Sequence, residues 1–348
     1  MKTYKYFTLL SFVLALSLFV SSCSEKTEPV PQDDVKVLAP SHFPPVPFPD
    51  DNPYNPAKAE LGRYLFYDPI ISPDGSIASC SHCKPQASAY AINVDLPAGY
   101  QKQLCGRNVM PMINLAYKTE ITWDGHCESI EDDTYGTLAS FIFGADTNGI
   151  NKRLKEHSEY PEMFIKAFGE GTVPSTFLAS QAISTFVRTL ISGNSPYDKY
   201  INGNKSALNE SEIRGMELFF SDRTSCSECH SGLMFTDEEY HNTGTTSHYF
   251  DKGRYNVTGD WQDKGKFLTP TLRNVELTYP YLHTGEYWTL EELIHNYNIG
   301  GHEWFNKDTL IRPLNLNATE RADLVNFLKS LTDTEFITNK KHSNPFVK

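Results

Sequence analysis

Positive charge is the first thing this sequence is short of. Its 348 residues carry 31 Lys and Arg against 43 Asp and Glu, a net charge of −12 with His neutral. That balance argues against nucleic acid as a partner and for solubility, or for a basic surface on whatever the chain meets. Long apolar runs are scarce as well. The one such stretch, Phe7 to Val20, is too short to span a bilayer, and no other stretch could do so. Cysteine is sparse, at 7 residues. With so few, a Cys-x-x-Cys-His string is expected by chance only roughly 0.004 times in such a chain.

Lys2 and Lys5 precede the apolar run, and Val20-Ser21-Ser22-Cys23 closes it. This is a targeting segment whose end resembles a bacterial lipobox, so residues 1–22 are expected to be removed and Cys23 acylated. Removal takes away two lysines and no acids, leaving a charge of −14. The expected location is the cell envelope, lipid-anchored at the periplasmic face or the cell surface, where disulfides are permitted. Residues 23–54 are rich in Pro, Asp and Ser without apolar periodicity and read as a flexible tether. About 295 residues remain, enough for two domains.

Cys226-Ser227-Glu228-Cys229-His230 is the attachment pattern of c-type haem. The two thiols add to the haem vinyl groups, and the adjacent His supplies an axial nitrogen. A structural zinc site would need a second ligand pair in reach. Cys80-Ser81-His82-Cys83-Lys84 repeats the pattern with Lys where His should stand. A neutral amine can ligate iron, but free lysine titrates near about 10.4, so ligation must hold Lys84 deprotonated. Otherwise Lys84 is a surface residue, and Cys80 and Cys83 are free thiols or a local disulfide. His82 lies between the thiols, badly placed to reach an iron that they hold.

Helical spacing is clear in three places. Leu61, Leu65 and Phe66 follow Pro56; Pro174 to Gly193 carries a broad apolar face; Glu212 to Phe220 leads into Cys226. Thr289-Leu290-Glu291-Glu292 is a capping box opening a helix that ends before Gly300-Gly301. Residues 244–266 read as an excursion loop.

Leu61-Gly62-Arg63-Tyr64-Leu65-Phe66-Tyr67-Asp68-Pro69 ahead of a Cys-x-x-Cys resembles the bacterial di-haem cytochrome c peroxidase family, which includes the MauG-type enzymes. The same family is echoed, in order, by Gly106-Arg107-Asn108, Trp123-Asp124-Gly125, Phe186-Val187-Arg188-Thr189-Leu190, Pro270 to Val275, Pro280-Tyr281-Leu282-His283-Thr284-Gly285 and Leu324 to Thr332. The resemblance implies a mainly α fold of two cytochrome c-like helical domains in tandem, at 55–203 and 204–335, with a tail at 336–348. It also implies two haems: an N-terminal one that reacts with hydrogen peroxide and a C-terminal one that passes it electrons from a small donor protein. In MauG-type members a partner protein is oxidised instead. A homodimer is an open outcome.

Residue by residue, the resemblance makes Cys80, Cys83, Cys226, Cys229, His230 and His283 cofactor-binding, with Lys84 the candidate proximal ligand at the peroxide site. Trp123 is the candidate electron relay between haems. Tyr297 falls where the peroxidases place a Met ligand and the MauG-type enzymes a Tyr; Met234 competes for that role. Calcium is expected between the domains on Asn108, Thr278 and Pro280. Cys105 and Cys127 flank segments the family fold brings together, so a disulfide is expected there, closing 21 intervening residues and worth about 3 kcal/mol.

Departures from the family qualify this. Besides Lys84, Phe143 stands where the family carries the Glu that moves the proton for O–O cleavage. Asp146 is close in sequence, but reads better as a loop carboxylate. His126 replaces the usual Arg, most simply as an exposed or hydrogen-bonded side chain. A second class of function therefore stays open, a mono-haem electron carrier or redox-sensing lipoprotein whose first site has degenerated.

Overall fold

The computed structural model describes residues 37–75 and 80–347. The signal segment, Cys23 and the first part of the expected tether lie outside the described residues. The fold is mainly α. The first half holds α1 (Pro56–Tyr67), α2 (Cys80–Cys83), α3 (Ile130–Ala139), α4 (Thr147–Glu156), α5 (Tyr160–Phe168) and α6 (Thr176–Val187). After α7 (Pro196–Ile201) come α8 (Glu210–Phe219), α9 (Cys226–Cys229), α10 (Tyr255–Thr258), α11 (Leu290–Ile299), α12 (Ala318–Lys329) and α13 (Thr334–Thr338). A small antiparallel ribbon pairs β1 (Tyr240–His241) with β2 (Phe267–Leu268), Tyr240 opposite Leu268.

Both halves follow one plan. Asn55 caps α1, its side chain accepting from Ala57 N and Lys58 N, with Pro56 in the first turn. The helix crosses α6 at Gly62, where an added Cβ would lie 1.9 Å from Ala182 O. In the second half Asn209 and Glu212 form a capping box for α8. That helix crosses α12 at Gly215, where a Cβ would lie 1.9 Å from Asp323 O. The sequence repeats accordingly, Gly62-Arg63-Tyr64-Leu65-Phe66 against Gly215-Met216-Glu217-Leu218-Phe219. Each crossing carries its own core, Leu61, Leu65, Phe66 and Phe186 in the first and Phe219, Leu324, Phe327 and Leu328 in the second. Each such side chain contributes about 1.5–3 kcal/mol by leaving water. In both halves a one-turn Cys-x-x-Cys helix follows the glycine helix, α2 after α1 and α9 after α8.

The halves are joined by buried charge. Arg273 pairs with Asp198 at 2.9 and 3.0 Å, both side chains 1% exposed. Asp333 Oδ2 accepts from Ser192 Oγ, Gly193 N and Asn194 N at 2.9–3.1 Å. The cost of dehydrating these ions is met by several hydrogen bonds to each.

Three expectations change here. The tether does not run to residue 54: Phe43 is buried, with Arg273 stacked over its ring at 5.1 Å. Asn52 is buried too, donating to Glu131 at 2.6 Å and Gln181 O at 3.0 Å. Two well-placed side chains thus anchor a proline-rich strap that shows no periodicity. The helix expected over Pro174 to Gly193 stops at Val187, because Arg188 to Ile191 tighten into turns. Phe177, within that apolar stretch, is 59% exposed. Nor does residue 336 begin a loose tail. Phe336 joins the first core, and Tyr67 and Tyr90 hydroxyls donate to His342 O.

Candidate functional site

The second Cys-x-x-Cys pattern opens at Ser225, whose left-handed backbone (φ 54°) turns the chain into α9. One helical turn puts the Cys226 and Cys229 thiols on the same side, three residues apart. His230 follows with its N–H donating to Cys226 O at 2.9 Å. Its Nδ1 lies 3.1 Å from Phe235 O. Only a protonated Nδ1 satisfies that contact, which leaves Nε2 with the free lone pair a metal needs. Burial lowers the His230 pKa, favouring the neutral ring.

These three residues face an apolar cavity that Tyr297 enters from α11. Burial pushes the Tyr297 phenol up to about 12. A hydrogen bond with Thr243 works the other way, and the Cys226 and Cys229 thiols are near enough to add to the rise. Trp123 and His283 line the same cavity. Trp123 Nε1 donates to Asn108 O at 2.8 Å, and its ring stands 6.3 Å from that of His283. His283 stacks on Phe267 at 3.5 Å, and burial brings its pKa down to about 4, so the ring is neutral. The three residues assigned to calcium share this cavity's wall. Asn108 turns its Nδ2 to Val94 O and Asp95 O, each at 2.9 Å, so its Oδ1 faces elsewhere. Asn93 takes the carbonyls of Leu277 and Tyr279 at 3.0 and 2.8 Å, the alternate neighbours of Thr278 and Pro280.

The first pattern is arranged differently. Cys80 and Cys83 again sit one turn apart on α2. Burial pushes their thiols up to about 12 and about 11. Lys84 is half-buried, and its Nζ donates to Met110 O. Burial lowers its pKa to about 8, against the opposing pull of Asp133 and the two thiols. Asp133 on α3 is itself raised by burial. The expected Cys105–Cys127 disulfide is absent, and both are free thiols. Cys127 Sγ points to Asp133 Oδ1 at 3.8 Å, while Cys105 lies close enough to Cys83 to raise that thiol further. The two sulfurs are committed to different neighbours.

Phe143 is 1% exposed and ends a helical turn before Gly144 (φ 80°), so it is core. Asp146 caps α4 through Gly149 N at 2.8 Å and pairs with Arg153 at 3.3 Å. It serves the helix and supplies no free acid. His126 is half-exposed, with Nδ1 2.6 Å from Asp124. Met234 is buried, its carbonyl accepting from Thr271.

Two groups escaped the sequence reading. Arg107 binds Asp124 at 2.7 Å and Asp251 at 2.5 Å, tying the Trp123 segment to the excursion loop. His241 lies between Asp308 at 2.7 Å and Asp237 at 2.9 Å, with Cys229 Sγ 3.8 Å away. Cys229, Asp237 and His241 are spaced as metal ligands are. A thioether at Cys229 removes one of them, and the carboxylates already occupy both ring nitrogens. Position in the Gly-Arg-Asn string was the only hint for Arg107; no spacing in the sequence flagged the carboxylates.

A family model described as di-haem cytochrome c peroxidase matches residues 56–206. A cytochrome-c peroxidase, IdrP1 of Pseudomonas sp. (strain SCT), is 33% identical over 331 residues, 86% of each chain. The chain belongs to the di-haem cytochrome c peroxidase family. Methylamine utilization protein MauG of Methylorubrum extorquens is 31% identical over 82% of this chain and 81% of its own. Cytochrome c551 peroxidase of Nitrosomonas europaea is 34% identical over 80% and 81%. The crystal structure of a MauG-like protein associated with microbial copper homeostasis superposes with a TM-score of 0.83 at 32% identity, over 88% of this chain and 98% of that one. The protein is accordingly a haem c oxidoreductase of cytochrome-c peroxidase type. Among the described residues no helix is long and apolar enough to cross a membrane.

The second donor set fits a covalently held haem: two thiols, an imidazole with one nitrogen committed and one free, and a phenol, all on one apolar cavity. The first set offers two thiols and an amine. The Lys84–Met110 contact uses one N–H, so loss of another proton would leave the amine a lone pair for a metal.

Proposed function

We propose that the protein consumes hydrogen peroxide at a site on the first half, with electrons arriving through the second. The observation that carries this is the cavity shared by Cys226, Cys229, His230 and Tyr297, joined to the first half by Trp123 and Asn108. Haem c at both motifs would supply the one-electron couples and the iron that peroxide binds. The chain's own residues do the rest. Phe235 O fixes the His230 tautomer, and Tyr297 lines the same cavity. A phenolate ligand favours the oxidised metal and so lowers its potential relative to a thioether. Trp123, fixed by its bond to Asn108 O, offers an oxidisable ring between the halves. Burial disfavours the Lys84 charge and brings its pKa down to about 8, so the amine gives up its proton to a metal more readily than a free lysine does.

Tyr297 and the likeness to MauG-type proteins favour a protein as the electron source. We place the chain in the cell envelope, anchored through Cys23, from its signal segment and lipobox-like end. Asn108 Oδ1 and the Thr278 and Pro280 carbonyls are assigned to calcium, a hard ion suited to oxygen donors at the seam. Purified chain should oxidise a reduced c-type donor when peroxide is added, and Tyr297→Phe should change that rate. No peroxide-dependent oxidation of any donor would refute the reading.

The buried Phe143 supports a second reading. Phe143 cannot move a proton and Asp146 is tied to α4, so neither position supplies the acid that assists O–O cleavage in the family. A mono-haem electron carrier would then result, and a single haem mass would identify it.

A further inference from the structure

The excursion loop and the segment after α11 build a run of aromatic rings from the second cavity to the surface. Tyr249 lines the cavity beside Phe267. Its ring meets that of Trp304 edge-on at 4.8 Å. Trp304 lies 6.5 Å from Phe305, and Phe305 stacks on Trp261 at 5.7 Å and 14°. Trp261 is 55% exposed and Phe305 52%. The rings are held in place: Trp304 Nε1 donates to Thr246 O at 3.3 Å, and Tyr249 OH donates to Asn242 Oδ1 at 2.5 Å. The Asn306 side chain, which accepts from Asn242 at 2.7 Å, fastens the loop through Gln262 O and Lys264 O, each at 2.9 Å. Neither an excursion loop nor the segment after α11 needs an indole stacked into such a run, or this bracing, merely to connect helices. Among the described residues Trp288 is nearly as exposed, at 49%, but its ring contact is Tyr279 at 6.4 Å, outside this run of rings.

We propose that Trp261, Trp304 and Tyr249 form the path by which electrons enter the second cavity from outside. Phe305 is the spacer between the two indoles. The inference rests on the peroxide-consuming reading above and specifies its entry route. For each hydrogen peroxide reduced to two waters, two electrons pass inward one at a time and two protons come from solvent. A protein donor facing Trp261 loses both electrons. Without a donor, the outermost indoles supply them: one tryptophan and one hydrogen peroxide yield one hydroxytryptophan and one water.

The test is a peptide map of the full, haem-loaded chain after peroxide is added without donor, with peroxide consumption followed in the same sample. Trp261 and Trp304 should gain the mass of one oxygen several-fold more than Trp288, whose similar exposure controls for oxidation from solution. Trp304→Phe and Tyr249→Phe keep rings of similar shape and should bring Trp261 down to the Trp288 level. Peroxide consumed with Trp261 and Trp288 equally oxidised, or with Trp261 unchanged in both variants, overturns the route alone. Failure to consume peroxide at all overturns the reading on which the route rests, and the route with it.

Discussion

The two Cys-x-x-Cys turns are built alike and furnished differently. Each follows a helix that crosses its partner at a glycine, Gly62 on Ala182 and Gly215 on Asp323. Beyond that the second turn delivers His230 to an apolar cavity that Tyr297 reaches from α11, whereas the first delivers Lys84 to a backbone carbonyl beside two half-buried thiols and Asp133. A scaffold set by helix packing thus constrains where a haem is attached far more than what ligates it. The chemistry of each half lives in a handful of side chains that the packing does not require.

The hardest way to break the comparison is to remove one ligand from the furnished site. His230→Ala should abolish the low-spin spectrum of the second haem and leave the first motif's absorption in place; visible spectroscopy of the variant decides it. A low-spin signal that survives unchanged would mean that His230 is not on the iron.

Next comes the seam that holds both halves. Arg273→Met strands a buried Asp198 carboxylate, and loss of one partner of such a pair costs about 3–5 kcal/mol. Urea unfolding of the purified chain should show it. Burial pushes the Asp198 carboxyl up, but Arg273 and Ser195 more than offset this, so it sits below the ordinary range. Its contribution is therefore full above the unfolded value of about 3.9. It is lost as pH falls through the lower folded value, and the variant should lose that acid-side dependence.

The first site can be sharpened in two steps. Lys84→His should raise peroxide turnover only partly, because general-acid help worth about 10²–10⁴ in rate is still missing. Supplying it at Phe143 carries a cost the core makes plain. Phe143→Glu buries a carboxyl without a partner and should destabilise by more than about 2 kcal/mol, measurable by thermal unfolding. A carboxylate tolerated there without loss would show that residue 143 faces a polar space.

Smaller effects follow. Tyr297→Phe should raise the midpoint potential of the second haem, since a phenol that stabilises the oxidised metal is lost; redox titration reads the sign. Cys105→Ser should change stability by less than about 0.5 kcal/mol, as expected away from buried networks. In the unsubstituted protein Cys105 should react with an alkylating agent without prior reduction.

Much of the fold was legible in the sequence, and the reasons differ by element. Pro56, the Thr289–Glu292 capping box and the Cys226–His230 string are local signals whose geometry needs no distant partner, and the helices stand where these put them. What failed was decided at long range. Phe43 and Asn52 turn an apparent tether into a strap because their partners, Arg273 and Gln181, lie far along the chain. Cys105 and Cys127 looked paired because they flank segments that the family fold brings together, but their actual neighbours, Cys83 and Asp133, are set by tertiary packing. Family position brought Trp123, His283, Tyr297 and Asn108 onto one cavity, but nothing local marked Asp124 and Asp251 as the grips on Arg107.

Counting covalent haems tests the central claim most directly, that both turns are attachment sites despite their different furnishing. Intact mass spectrometry of the purified chain should show two haem masses. One should disappear in Cys226→Ala/Cys229→Ala and the other in Cys80→Ala/Cys83→Ala. A single haem that persists when Cys80 and Cys83 are both replaced would contradict the account and leave the first half a scaffold without its cofactor.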